Sequence, residues 1–168
     1  DESGEVRVYL GPLADAPEAA ASWDGEAAGD HLGEDLLAVG DLDGDGVGEL
    51  GIGAWEWPAG GRTGRFHAVQ VGTATLASAP LTVDGEALGN SFGYQAAAGD
   101  ADGDGQGDLA VSAPPTGDRV RPGRVYVFFG PLAGAVSAAH ADRIWVGEAG
   151  DGAGHELAFA DLDGDRVE

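Results

Sequence analysis

Cysteine and methionine are both missing from these 168 residues, and so is lysine, leaving arginine as the only strong cation. Without cysteine there can be no disulfide and no thiolate metal site, a fact that leaves the compartment open. No apolar run approaches the ~20 residues that cross a bilayer as a helix, so direct membrane insertion is not expected. Positive charge is scarce: eight basic residues against thirty acidic ones give a formal charge of −22. Nucleic-acid binding rests on neutralising phosphates with cations, and docking on anionic lipid needs basic clusters, so neither class of partner is expected. A leader peptide is not seen. The chain opens on Asp1 rather than Met and stops three residues after an acidic loop, from which a segment of a longer protein is expected.

What is abundant is glycine, with 31 residues, together with alanine and aspartate. High negative charge with few large apolar residues favours disorder. Here short ordered apolar runs interrupt the acidic stretches, and they recur. Acidic loops return as DLDGDGVGE from Asp41, DADGDGQGD from Asp100 and DLDGDRVE from Asp161. Each is preceded by a Gly-Glu-Ala turn beginning at Gly25, Gly85 or Gly147. Runs such as ELGIGAW and DLAVSAP follow the first two loops, and GEVRVYLGPL, GRFHAVQVG and GRVYVFFGPL recur in turn. The period is roughly sixty residues. It divides the chain into 1–24, the end of one repeat; 25–84 and 85–146, two complete repeats; and 147–168, the start of another.

Within a repeat the apolar residues alternate or form short runs rich in β-branched and aromatic side chains, bounded by Gly, Pro and Asp, which is a strand signature. Four strands are expected in the first complete repeat, over Leu36–Val39, Leu50–Ala54, Arg65–Val71 and Pro80–Val83. Their counterparts in the second are Tyr94–Ala98, Leu109–Ser112, Arg124–Phe129 and Arg143–Val146. APEAAASW, from Ala16 to Trp23, is either one helical turn or the approach to a strand. Four-stranded antiparallel sheets at this period imply an all-β fold of propeller blades, each needing a neighbour to bury its faces. A helical solenoid is the structural alternative, and the density of Gly and β-branched residues argues against it.

The acidic loops carry the chemistry. Each has Asp at relative positions one, three and five: Asp41, Asp43, Asp45; Asp100, Asp102, Asp104; and Asp161, Asp163, Asp165. Position six is Gly46 or Gly105, which permits a sharp turn. Position nine is Glu49 or Asp108, and the carbonyls of Val47 and Gln106 at position seven are candidate ligands as well. Alternating carboxylates on a tight turn converge their oxygens, and Ca²⁺ takes six to eight oxygens in irregular geometry. One such motif alone is a weak signal, since Asp and Gly favour solvated turns anyway; three in register are not. Position twelve is Ile52 or Val111, where an EF-hand needs a bidentate Glu, so the loops are expected between strands rather than helices. The third loop is expected to bind most weakly. It has Arg166 at position six, and position nine falls beyond Glu168.

Phe92-Gly93 is followed by YQAAAG, the loop from Asp100, and LAVSAP ending at Pro114. With these marks the chain resembles, over essentially its whole length, the FG-GAP repeat family, the integrin α-subunit type of calcium-binding propeller. The other repeats are looser, with Leu32-Gly33 or Ala153-Gly154 at the first mark and Gly53-Ala54-Trp55 at the second. The resemblance implies a seven-bladed propeller, usually extracellular or at the cell surface, with one Ca²⁺ per motif-bearing blade. Seven repeats need about 420 residues, so this chain is expected to form an incomplete ring.

Other motifs fail on context. GVGELG from Gly46 matches G-x-G-x-x-G, but it overlaps an acidic loop and runs into a strand instead of opening a helix. His155-Glu156 lacks a second zincin histidine, and His31, His67, His140 and His155 are scattered. Carboxylate pairs are too common here to nominate a glycosidase site. No activity is therefore expected. The leading class is a calcium-binding module for a protein or carbohydrate ligand, in a cell-adhesion or similar role. The alternative is the propeller portion of a secreted hydrolase or lyase whose catalytic domain lies elsewhere. In a meander the calcium loops share one face. The other carries Trp55, Trp57, Arg62, Arg119 and Arg121, residue types that anchor interfaces, although the tryptophans equally suit packing between blades. Open blade edges also invite self-association.

Overall fold

A computed structural model describes every residue except 1, 13, 14, 16, 59, 60, 62, 87–90, 116–120, 165, 166 and 168. Strands β1 (Glu5–Val8) and β2 (Ala21–Asp24) form a two-stranded antiparallel sheet. The next sheet is an antiparallel meander of β3 (Leu36–Gly40), β4 (Glu49–Ala54), β5 (Arg65–Val69) and β6 (Leu81–Asp84). The following blade holds β7 (Ala96–Gly99), β8 (Asp108–Ala113), β9 (Pro122–Phe128) and, after a short β10 (Gly134–Ser137), β11 (Arg143–Ala149). Short 3₁₀ turns at Leu76–Ser78 and Ala138–His140 are the only helical elements among the described residues. No helix of the described residues is long and apolar enough to cross a membrane. The sheets lie side by side as propeller-type blades, and the described strands do not close a ring.

Strand ends differ from expectation where a side chain or proline takes the ladder's place. Pro80 has no N–H to donate and lies outside β6, where its carbonyl accepts Gly134 N–H. The Gln70 N–H turns to Thr73 Oγ1 at 3.0 Å, which ends β5 two residues before Val71. Phe129 N–H is taken by Asp142 Oδ2, ending β9. Of the segment from Ala16 to Trp23, residues 21–23 belong to β2, paired to β1, and Ala16 lies outside the described residues. β10 was not anticipated. It leaves its own repeat and pairs in parallel with β6 of the neighbouring blade, Gly134 opposite Leu81 through Ser137 opposite Asp84.

The second strand of each larger sheet is buried on both faces, so it reads as a nearly unbroken apolar run. All six residues of β8 are buried, and so are five of the six in β4. Between the two larger sheets lie Phe66, Phe92, Leu109, Val111, Tyr126 and Phe128, with Phe92 meeting Tyr126 edge to face at 5.4 Å. Between the first sheet and β3–β6 lie Val6, Trp23, Leu32, Ile52, Val69 and Leu76. The Phe-Gly pair has a clear role in this packing. Phe92 fills the interblade core, and Gly93 adopts φ 86° so that its N–H reaches Ser112 O. Leu32-Gly33 repeats the arrangement one blade earlier, with Gly33 at φ 84° bonding Gly53 O.

The same packing buries His67, 1% exposed on β5, with Nδ1 3.2 Å from Thr82 Oγ1. Burial pushes its pKa down to about 4, helped by the nearby Arg65 charge and opposed by Asp84. Between about pH 4 and 6.5 the unfolded chain therefore carries a proton that the folded chain refuses, and stability falls as pH falls through that window. Below it both states are protonated, and this group costs nothing further. The loss amounts to about 3 kcal/mol. Urea melts at pH 7 and pH 4 compare the native protein with His67→Gln; an equal decline in both would show that His67 is not the source.

Candidate metal centres

The first two acidic loops occupy equivalent places, between β3 and β4 and between β7 and β8. Their turns are set by the chain itself. Gly46 and Gly105 at position six adopt φ 88° and 84°, a region that side chains with a Cβ rarely enter. Asp41 accepts Gly44 N–H and Gly46 N–H on its two oxygens, and Asp100 accepts Gly103 N–H and Gly105 N–H in the same way. Asp43 Oδ1 takes Asp45 N–H at 3.1 Å, and Asp102 Oδ1 takes Asp104 N–H at 3.1 Å. Bond for bond, the two loops have one conformation.

That conformation gathers oxygens. In the first loop Asp41, Asp43, Asp45 and Glu49 each place a carboxylate oxygen within 4.8 Å of the others. In the second, Asp100, Asp102 and Asp108 do so. Asp104 stands aside, its oxygens accepting the backbone and side-chain N–H groups of Gln106. Val47 and Gln106 sit at the far turn, where their backbone N–H groups bond Asp45 and Asp104. In the third loop Asp161 Oδ1 accepts Asp163 N–H and Gly164 N–H, the beginning of the same turn. Asp165 and Arg166 lie outside the described residues, and so do Arg62 and Arg119.

The ninth position differs from the others. Glu49 is 4% exposed and Asp108 is 0% exposed. Asp108 Oδ2 accepts Ala101 N–H and Oδ1 accepts Gly130 N–H, both at 2.8 Å. Glu49 Oε2 accepts Leu42 N–H at 2.8 Å, and Oε1 accepts the Gln70 amide at 2.6 Å. Each ninth carboxylate thus ties its loop to the segment that follows the blade's third strand. All-oxygen donor sets with several exposed carboxylates suit a hard divalent cation such as Ca²⁺, and each carboxylate oxygen keeps a second lone pair for it. Gln70, in contact with two of the four clustered acids, was missed in the sequence because it lies 21 residues beyond Glu49 with no motif of its own.

The opposite face holds a line of rings. His31 lies 5.2 Å from Trp55, Trp55 5.9 Å from Tyr94, and Tyr94 5.3 Å from His155. Trp55 donates its indole N–H to Glu34, and Trp57 lies 3.4 Å beneath the Arg65 guanidinium. Both tryptophans are thus packed against their own chain and only partly exposed. Asp35 at the edge of this line has its pKa raised, first by burial and then by the nearby Glu156 charge. Arg65 pairs with Glu26 and Arg124 with Glu86, so one ion pair recurs in successive repeats and fastens the first two Gly-Glu-Ala turns each to a third strand.

Gly89 to Gly93 spells G-x-S-x-G, a nucleophile-elbow pattern. A working elbow exposes its serine between a strand and a helix. Ser91 is 0% exposed, and the chain continues into β7. Its φ of 50° recurs at the equivalent His31, 55°, so the conformation belongs to the repeat rather than to a nucleophile.

Comparison with known proteins agrees with this architecture. Residues 92–128 match the family model described as FG-GAP repeat. The chain is also similar to phosphatidylinositol-glycan-specific phospholipase D of Rattus norvegicus, 32% identical over 142 residues, a match that covers 77% of this chain and 17% of that protein. The chain therefore spans a small part of its curated relative. The matched segment supplies the Phe-Gly plug, an acidic loop and the strands on either side, and residues 92–128 carry an FG-GAP repeat.

Proposed function

We propose that this chain is a calcium-binding propeller module that serves as a non-catalytic binding or adhesion platform on an extracellular or cell-surface protein. The observation that carries the reading is the duplicated cluster: two loops in one conformation, each converging carboxylates at a point open to solvent. Asp41, Asp43, Asp45 and Glu49 hold one ion, and Asp100, Asp102 and Asp108 hold the other, with Asp104 turning in from Gln106. The Val47 and Gln106 carbonyls complete the two sets. When bound, Ca²⁺ supplies charge neutralisation that stiffens the loop face. A protein or carbohydrate ligand would then use the opposite face, where Trp55, Tyr94 and the two flanking histidines lie.

Calorimetric titration of EDTA-treated protein tests the central claim, with at least two calcium sites expected. Absence of heat at millimolar Ca²⁺ would end it. The third loop should fill last, since Arg166 stands at the position where the other two loops have glycine. Amide shifts near Asp163 should saturate at higher Ca²⁺ than those of Val47 and Gln106.

A second reading rests on the similarity to a phospholipase D. On it, the chain is the propeller portion of a secreted hydrolase whose chemistry is performed elsewhere in the polypeptide. A catalytic domain found in the full-length gene favours this reading. Ligand capture on a glycan array by the chain alone favours the platform.

A further inference from the structure

We infer that Gln70 is a positioning residue for the Asp41 site, a side-chain latch that gives this site a control the Asp100 site lacks; the inference rests on the calcium reading above. The Gln70 amide nitrogen donates to Asp45 Oδ2 at 3.0 Å and to Glu49 Oε1 at 2.6 Å, so one neutral group spans two of the four clustered carboxylates. Two anions held close repel each other, and an amide placed between them lowers that repulsion before any cation arrives. Gln70 is itself held. Its N–H bonds Thr73 Oγ1 and its carbonyl accepts Thr73 N–H, both at 3.0 Å, and Thr73 O accepts the Trp23 indole N–H at 3.0 Å. The latch is thereby anchored in the core shared with the β1–β2 sheet. In the second blade the corresponding donor to the ninth carboxylate is the backbone N–H of Gly130, which no substitution of a side chain removes.

The sites thus respond differently to one change. Gln70→Met keeps the length of the side chain and removes its donors, whereas Gln70→Glu keeps the shape and adds a charge. Removing an outer partner of a metal-binding carboxylate weakens a site by about tenfold or more. Calcium titrations followed by the Val47 and Gln106 amide resonances report the two sites separately in one sample. The expected result for Gln70→Met is about tenfold weaker binding at Val47, with Gln106 unchanged. For Gln70→Glu, the melting temperature should lie below that of the native protein in EDTA and match it in Ca²⁺, a selectivity that a merely structural residue would not give. Equal weakening of both sites, no weakening at Val47, or a Met variant that stays unfolded in Ca²⁺ overturns the inference and leaves the calcium reading standing. No response at either amide in the native protein overturns the calcium reading itself.

Discussion

Removing divalent ions should lower the melting temperature sharply, and millimolar Ca²⁺ should restore it. The chain carries a formal charge of −22, and its first loop confines four carboxylate oxygens within 4.8 Å of one another. Even in water, like charges about 4 Å apart repel by about 1 kcal/mol per pair. An ion that binds only the folded chain reverses this, adding about 2.7 kcal/mol per site at a hundredfold excess over its dissociation constant. Two equivalent sites give about 5 kcal/mol, on the order of 10 °C or more for a chain of this size. Asp102→Ala should abolish roughly half of the calcium-dependent rise, since it strips one clustered carboxylate from the second loop only. Scanning calorimetry in EDTA and in Ca²⁺ reads both effects; identical midpoints in the two buffers would refute calcium linkage.

Asp108→Ala should be the most damaging of the loop substitutions, and it should damage the protein even in EDTA. Asp108 is 0% exposed and accepts two backbone N–H groups, from Ala101 and Gly130. Both donors lose a charged partner, at about 1–3 kcal/mol each. A loss of about 2–6 kcal/mol follows, a large fraction of the stability of an ordinary domain. Asp102 is exposed, and in EDTA its removal should cost under about 1 kcal/mol, because its Asp104 N–H partner can turn to water. Chemical denaturation in EDTA separates the two cases. Similar small losses for both variants would mean that Asp108 is an ordinary ligand and not a brace.

Comparison of the blades shows where reading from sequence stops. Position six of the loops is legible because a backbone with φ near 85° admits glycine and little else, and Gly46 and Gly105 stand there. Positions one, three and five are legible for the same local reason: three carboxylates on one short turn have few places to point. Yet Asp45 joins its cluster and Asp104 does not: the Gln106 side chain folds back on Asp104, whereas Val47 has no side-chain amide and Asp45 Oδ2 meets Gln70 beside Glu49 instead. β10 was invisible, since four residues of Gly-Ala-Val-Ser carry no pattern and its partner lies in another repeat.

The tryptophans make the same point. Trp23 and Trp145 occupy one register position, opposite Val6 and Val125. Trp23 is 3% exposed and Trp145 is 59% exposed. The same residue at the same register position takes opposite burial, because the β3–β6 sheet covers the first and no described strand covers the second.

The sequence by itself determined the repeat, the all-β class, the strand runs and the loops that gather carboxylates. All of these follow from covalent spacing, side-chain alternation and the φ restrictions of single residues. Tertiary structure alone decided which donors hold the ninth carboxylates. Glu49 meets a side chain 21 residues away, and Asp108 meets a backbone N–H 22 residues away. The reason is geometric: a longer acid reaches an amide and a shorter one reaches the main chain, and which of the two lies within reach is set only when the third strand of the blade comes to lie against the second.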